Sequence, residues 1–284
     1  MLARRLPTIL PDLTFEEALE VTKIHSITGI LPANSTLINT RPFRAPHHTT
    51  SGPAMVGGGK NPKPGEISLA HFGVLFLDEL PEFNRNTLEV LRSPLEDHAV
   101  NISRVNASLS YPADVMLIAS MNPCPCGYYG SGEKECVCSN QTITRYMSKI
   151  SGPLLDRIDI HIEAKPFKYE KISSDEIQES SIQIKKRVNN ARKIQLKRYE
   201  ELGIFSNSSL TPKLIEKYCK VDEKGKKLLD NAFEKLGLSA RAYGRILKVA
   251  RTIADLENVK DITHKHIAEA IQYRSLDRKY GELT

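Results

Sequence analysis

No stretch of this sequence approaches the roughly 20 consecutive apolar residues that a helix needs to cross a bilayer. The amino terminus, MLARRLPTILPDL, carries two arginines but too short an apolar run for a secretory signal. Internal repeats and low-complexity tracts are missing too, so a repeat array is excluded. Cysteine is scarce, with five in 284 residues. Such a chain has no disulfide framework, and a cluster of its cysteines points to metal or chemistry instead. These absences predict a cytoplasmic protein with no membrane partner.

What is present belongs to a soluble globular chain, 40% hydrophobic and 26% charged. The length suffices for two domains, or for one domain with a lid. A formal net charge of +6 permits a polyanionic partner without requiring one.

Along the first two-thirds, helix-like and strand-like patterns alternate. Met1, Leu2, Leu6, Ile9 and Leu10 suit one face of a short helix that Pro11 ends. Residues 73–79 (GVLFLDE) and 115–122 (VMLIASMN) are short continuous apolar runs ending in polar residues. Such runs read as strands covered on both faces, as in a parallel sheet with helices on each side. The segment 156–164 (DRIDIHIEA) alternates and reads as a third strand, while 101–111 (NISRVNASLSY) reads as a hairpin or a surface loop. From about Ile177 the pattern is helical only: 182–202, 211–219, 222–236, 239–256 and 263–273, most with a polar cap in front. The expected organisation is an α/β core over 1–166, a linker over 167–176 and an all-helical lid over 177–284.

The strongest chemical signal is VLFLDEL, 74–80. A buried strand delivering Asp78 and Glu79 to its carboxyl end puts two carboxylates where α/β proteins bind ligands. In nucleotide-driven motors Asp78 would hold Mg²⁺, and Glu79 would orient and deprotonate the attacking water. The plainer reading is a strand ending in solvated acids. Asn122, closing the second apolar run, would add a neutral amide beside them, although Asn-Pro is also a common turn pair. Arg157, in SGPLLDRID, could reach a neighbouring subunit's nucleotide, or pair with Asp156 or Asp159. Arg241 and Arg245 open a helix from which either could contact a phosphate, or form a solvated basic face.

Cys124 and Cys126, then Cys136 and Cys138, form C-x-C…C-x-C around a Gly-rich loop. Four thiolates could close a structural Zn²⁺ site, or remain reduced thiols in a flexible loop. His47 and His48 offer a second metal possibility or a polar loop. The basic segment 182–202 could track a phosphate backbone or be a solvated linker helix.

VLFLDELPEF, ASMNPCPCG, SGPLLDRIDIHIE and LSARAYGRILKVARTIADL, with RPFRAPHHTTS upstream, together resemble the YifB/ComM branch of the magnesium-chelatase-like AAA+ ATPases. The likeness runs over essentially the whole chain in the same order. It implies an AAA+ parallel-sheet core with a helical lid, with ATP and Mg²⁺ as cofactors. Asp78 and Glu79 become the Walker B pair, Asn122 sensor 1, Arg157 a trans-acting finger and Arg241 sensor 2. It also implies a β-hairpin near 100–112 and an insert near 41–66, both facing the pore of a homo-oligomeric, hexameric ring. The implied function is an ATP-dependent DNA helicase acting in branch migration during DNA uptake. A protein-remodelling or chelatase-type motor, and a non-catalytic ring partner, are the alternatives. Members of the family carry a phosphate-binding Gly-Lys-Thr loop just before the segment that aligns with Met1. That loop is missing here, and GGGK at 57–60 does not replace it, because no buried strand leads in and no Ser or Thr follows. The expectation is a fragment, or a misplaced start codon.

Overall fold

A computed structural model describes residues 2–31, 36–59, 62–104, 107–130, 132, 134–164, 179–236, 238 and 240–274. The chain forms two compact units, 1–157 and 158–284, and each is described by itself. The expected linker over 167–176 lies outside the described residues.

The first unit begins with a 3₁₀ turn, Ala3–Thr8, with Pro7 inside it and no buried residue. The short helix expected there forms as a 3₁₀ turn rather than an α-helix, because Pro7 has no N–H to donate. Helix α1 (Phe15–Thr28) starts at a capping box in which Thr14 and Glu17 exchange side-chain and backbone hydrogen bonds. Next come β1 (Phe43–Arg44), α2 (Gly52–Val56), and a short antiparallel ribbon of β2 (Gly57–Gly58) and β3 (Lys63–Pro64). Helix α3 (Glu66–Leu69) leads into β4 (Val74–Leu77), followed by α4 (Arg85–Glu89) and α5 (Arg92–Asp97).

Strands β5 (Ala99–Arg104) and β6 (Ala107–Pro112) pair antiparallel, Ala99 opposite Pro112, so the 101–111 segment is a hairpin. Its turn residues, 105 and 106, lie outside the described residues. Strand β7 (Met116–Ala119) follows, then α6 (Asn140–Met147) and α7 (Gly152–Leu155).

The central sheet has the order β1-β4-β7 and is parallel throughout. Phe43 pairs with Val74, which pairs with Met116, and Leu77 pairs with Ala119. Gly73 permits β1 to come this close. A Cβ there would lie 2.1 Å from the Pro42 carbonyl oxygen, the group that accepts the Val74 amide at 2.8 Å. Strand β4 is the core of the unit, with Val74, Leu75 and Leu77 fully buried. Strand β7 departs from the expectation of cover on both faces: Met116 is 45% exposed and the rest only half-buried. It is the edge of the sheet among the described residues, so one side of it has no neighbour to bury it.

The second unit is helical. Helix α8 (Ser181–Arg198) starts at a Ser180–Gln183 capping box. Then follow α9 (Pro212–Tyr218), α10 (Glu223–Leu236), α11 (Ala240–Leu256) and α12 (His264–Gln272). Their apolar stripes meet in a core that includes Tyr199, Leu229, Ile246, Ala250, Ile262 and Ile267. Asp255, only 1% exposed, is satisfied inside this core by Arg198, Arg251 and Asn207. A buried charge is tolerated only when paired this fully.

The strand expected over 156–164 does not form. Ile160 and Ile162 point outward, 46% and 74% exposed, while His161 is buried. The backbone finds other partners. The His161 amide donates to the Tyr273 carbonyl at 2.6 Å, and Arg274 donates to the Ile158 carbonyl. With those groups satisfied at the end of α12, no strand is needed to satisfy them. The expected mixed architecture nonetheless stands: a parallel three-stranded α/β core and a helical carboxyl-terminal region.

Candidate functional site

The carboxyl ends of β4 and β7 lie side by side because the two strands run parallel and in register. The residues just beyond them therefore converge. The Ser120 amide donates to the Leu77 carbonyl at 3.0 Å, and the Leu80 amide returns to the Ser120 carbonyl at 2.9 Å. The Ser120 hydroxyl donates to Asp78 Oδ1, which also accepts the Glu79 amide at 3.1 Å. Asp78 is thus oriented by two donors, and Ser120 is a site residue that the sequence reading passed over. Its signal was there, two positions before Asn122 on the same strand end.

Glu79 is 57% exposed and has φ +53°, ψ +48°, the left-handed conformation that non-glycine residues seldom adopt. Its Oε2 lies 3.4 Å from His48 Nδ1. His48 in turn stacks on His47, ring centroids 4.0 Å apart, and meets the edge of Phe83. The histidine pair is therefore part of the carboxylate site. His48, Ser51, Glu82, Asn84 and Thr87 line a polar cleft.

Asn122 is exposed beyond β7. Tyr146, on α6, lies beside the Asn122 backbone, and its hydroxyl pKa is raised, first by burial and then by the nearby Glu82 and Glu79 carboxylates. Lys149 pairs with Glu82 at 3.4 Å. A group of oxygen donors at the ends of two strands, two of them carboxylates, matches what a hard divalent cation such as Mg²⁺ requires. The GGGK stretch has another role. Gly57 and Gly58 form the ribbon with Lys63 and Pro64, where a Cβ on Gly57 would lie 2.3 Å from the Lys63 carbonyl oxygen. Lys60 lies outside the described residues.

Arg157 pairs with Glu96, and its Nη1 donates to the Pro153 carbonyl at 2.7 Å. Its side chain is only 10% exposed. One partner is thus an acid 61 positions away, which no local pattern could have named, while Asp159 pairs with Arg245 at 2.7 Å. Arg241 is exposed in the first turn of α11. On α8, Arg187 pairs with Glu179, Arg192 donates to the Phe205 carbonyl, and Arg198 is tied to Asp255. Much of that basic helix is therefore engaged within its own unit.

The four clustered cysteines converge. Cys124 Sγ lies 3.3 Å from Cys126 Sγ and 3.7 Å from Cys136 Sγ, and Cys126 and Cys136 are 3.6 Å apart. With Cys138 included, all four sulfurs lie within 4.8 Å of one another. They are the only such group of three or more candidate ligands among the described residues, so His47 and His48 do not form one. The Cys126 thiol is drawn down to about 6, first by a backbone hydrogen bond from Tyr128.

Comparison with known proteins gives a consistent result. Residues 1–172 match the family described as magnesium chelatase, subunit ChlI, and residues 178–274 match the ChlI carboxyl-terminal family. The chain is 46% identical over 287 residues to "Competence protein ComM" of Haemophilus influenzae, covering 100% of this chain and 55% of that protein. It is 46% identical over 280 residues to the uncharacterized protein YifB of Escherichia coli, covering 98% and 54%. The uncharacterized protein Rv2897c of Mycobacterium tuberculosis is 38% identical over 275 residues, covering 96% and 54%. The chain spans about half the length of these relatives.

Proposed function

Since this chain belongs to the magnesium chelatase ChlI family, alongside ComM and YifB, we propose that it is the motor portion of an ATP-driven ring that acts on DNA. The observation that supports this reading is the convergence of Asp78, Glu79 and Ser120 at the ends of two parallel strands, with Asn122 just beyond.

In this proposal ATP and Mg²⁺ are the cofactors, and the metal supplies charge neutralisation to the phosphates when bound. Asp78, held by Ser120 and the Glu79 amide, would take the metal, usually through water. Glu79 would orient the attacking water and accept its proton. Asn122 would position that water by its side-chain amide. Arg157 would act on a neighbour's nucleotide and Arg241 on a phosphate in its own chain.

DNA is proposed as the client, in a helicase or branch-migration role. The word "competence" in the ComM name supports it. So does the hairpin β5–β6: Asn101, Ser108 and Ser110 are exposed on it, and its aromatic residue, Tyr111, is tied to the Pro62 carbonyl at 2.9 Å. A hairpin gripping protein chains would present free aromatic rings, so a protein-remodelling motor ranks second.

The test is ATP turnover by this chain joined to the remaining length of its relatives. Glu79→Gln should abolish hydrolysis while keeping nucleotide binding. DNA should stimulate turnover, and the stimulation should fall steeply with salt, because phosphate contacts release counterions. Turnover that ignores single-stranded, duplex and branched DNA alike would transfer the reading to a protein client.

A further inference from the structure

We propose that Cys124, Cys126, Cys136 and Cys138 bind one zinc ion as a tetrathiolate, and that this metal fixes the loop carrying Asn122 to the start of α6. The second half rests on the proposed nucleotide site; the first does not.

The geometry is that of a closed coordination sphere. Zinc–sulfur bonds of about 2.3 Å directed to the corners of a tetrahedron place the sulfurs about 3.8 Å apart. The spacings of 3.3, 3.6 and 3.7 Å, with all four sulfurs inside 4.8 Å, fall around that edge. Four mutually close sulfurs match a tetrahedron better than two separate bridges, and all four thiols are free. The thiolate donor set selects zinc, or iron in the same geometry, over hard cations. Zn²⁺ displaces the thiol protons, and a dication with four thiolates leaves a site of charge −2.

The loop explains why a metal is needed. The described residues between β7 and α6 contain no helix or strand. Apart from Cys124 they bury almost nothing, and Val137 is 87% exposed. A loop this long has too little apolar contact to hold one conformation, whereas a metal closing it supplies that order directly. Gly127, at φ +84°, turns the chain back so that its amide meets the Cys124 carbonyl at 3.0 Å and Cys126 faces Cys124.

Position gives the site its consequence. Cys124 is two residues past Asn122, and Cys138 is followed at once by Ser139, whose hydroxyl caps α6. That helix carries Tyr146, whose side chain lies beside the Asn122 backbone. The metal therefore closes a ring from the end of the sheet, through α6, back to Asn122.

The experiment is metal analysis of the untagged chain purified without chelator, followed by hydrogen exchange. About one zinc per chain is expected, and cobalt substitution should give the intense visible absorption of a tetrahedral tetrathiolate. Cys136→Ser and Cys138→Ser, at partly exposed positions that should tolerate the change, should each lower zinc affinity on the order of 10²-fold or more. Cys219→Ser, at the buried thiol in the other unit, should keep full metal content. A chain that is metal-free as isolated and takes up neither zinc nor cobalt overturns the site, as does equal loss in Cys219→Ser; iron in place of zinc overturns the metal assigned. Chelation should speed amide exchange over 120–139, a readout independent of ATP turnover. Unchanged exchange there, in a chain that does bind zinc, overturns the tie to Asn122.

Discussion

His48 Nδ1 stands 3.4 Å from Glu79 Oε2, joining the loop after β1 to the carboxylate proposed as the base. Glu79 sits in a left-handed conformation that costs roughly 1–2 kcal/mol for a residue with a Cβ, so its surroundings must hold it there. The pair is partly exposed and worth no more than about 1 kcal/mol to stability, so His48→Ala should fold normally. Turnover should nonetheless fall, by up to about 10²-fold, as a displaced catalytic group does, while ATP affinity stays unchanged. His48→Asn should recover part of the rate. Steady-state kinetics beside a nucleotide-binding titration makes the check, and wild-type turnover in His48→Ala would remove the positioning role.

Arg157 is held by Glu96 and the Pro153 carbonyl within its own unit. If it serves a neighbour's nucleotide, it must exchange Glu96 for a phosphate when the ring forms. Arg157→Ala should then spare ATP binding and lower turnover on the order of 10³-fold. Mixing it with Glu79→Gln chains should restore some activity, since mixed rings contain sites with both groups intact. Glu96→Ala separates this from structural damage: it breaks the same ion pair yet should retain most of the turnover. Full activity of Arg157→Ala rules out the trans-acting role.

His71 supplies a pH dependence. It is 4% exposed, and its Nδ1 accepts the Asp114 amide at 3.0 Å, so that nitrogen carries no proton. Burial pushes its pKa below the usual 6.5, outweighing the opposing pull of Glu20. A group whose folded pKa is depressed gives stability that is fully present above the unfolded pKa and lost as pH falls through the folded one. The chain should therefore unfold more readily as pH drops below about 6.5, because protonation sets two donors face to face. His71→Gln can still accept the Asp114 amide and should flatten that slope. Denaturation midpoints across this range provide the check, and an unaltered slope in His71→Gln would assign the effect elsewhere.

The apolar run ending in Asp78–Glu79 was legible because a buried strand needs a continuous apolar stretch; the run ending in Asn122 was legible as its parallel neighbour, although that strand is only half-buried. The helices of the second unit were legible from their caps and periodicity. The segment 156–164 misled because alternation reports only that side chains face opposite ways; it does not say what satisfies the backbone between them. Here Tyr273 and Arg274 do so, more than 110 residues later in the chain.

The sequence by itself determined the apolar strands, most of the helices of the second unit, the pair of carboxylates and the cysteine spacing, since those depend on local pattern and residue chemistry. Only the tertiary structure decided the partners: His48 for Glu79, Ser120 for Asp78, Glu96 for Arg157, and one sulfur for another across a loop. Those pairings are made by register between strands and by the return of distant segments. Contact range, a few ångströms in space, has no fixed counterpart in distance along a chain.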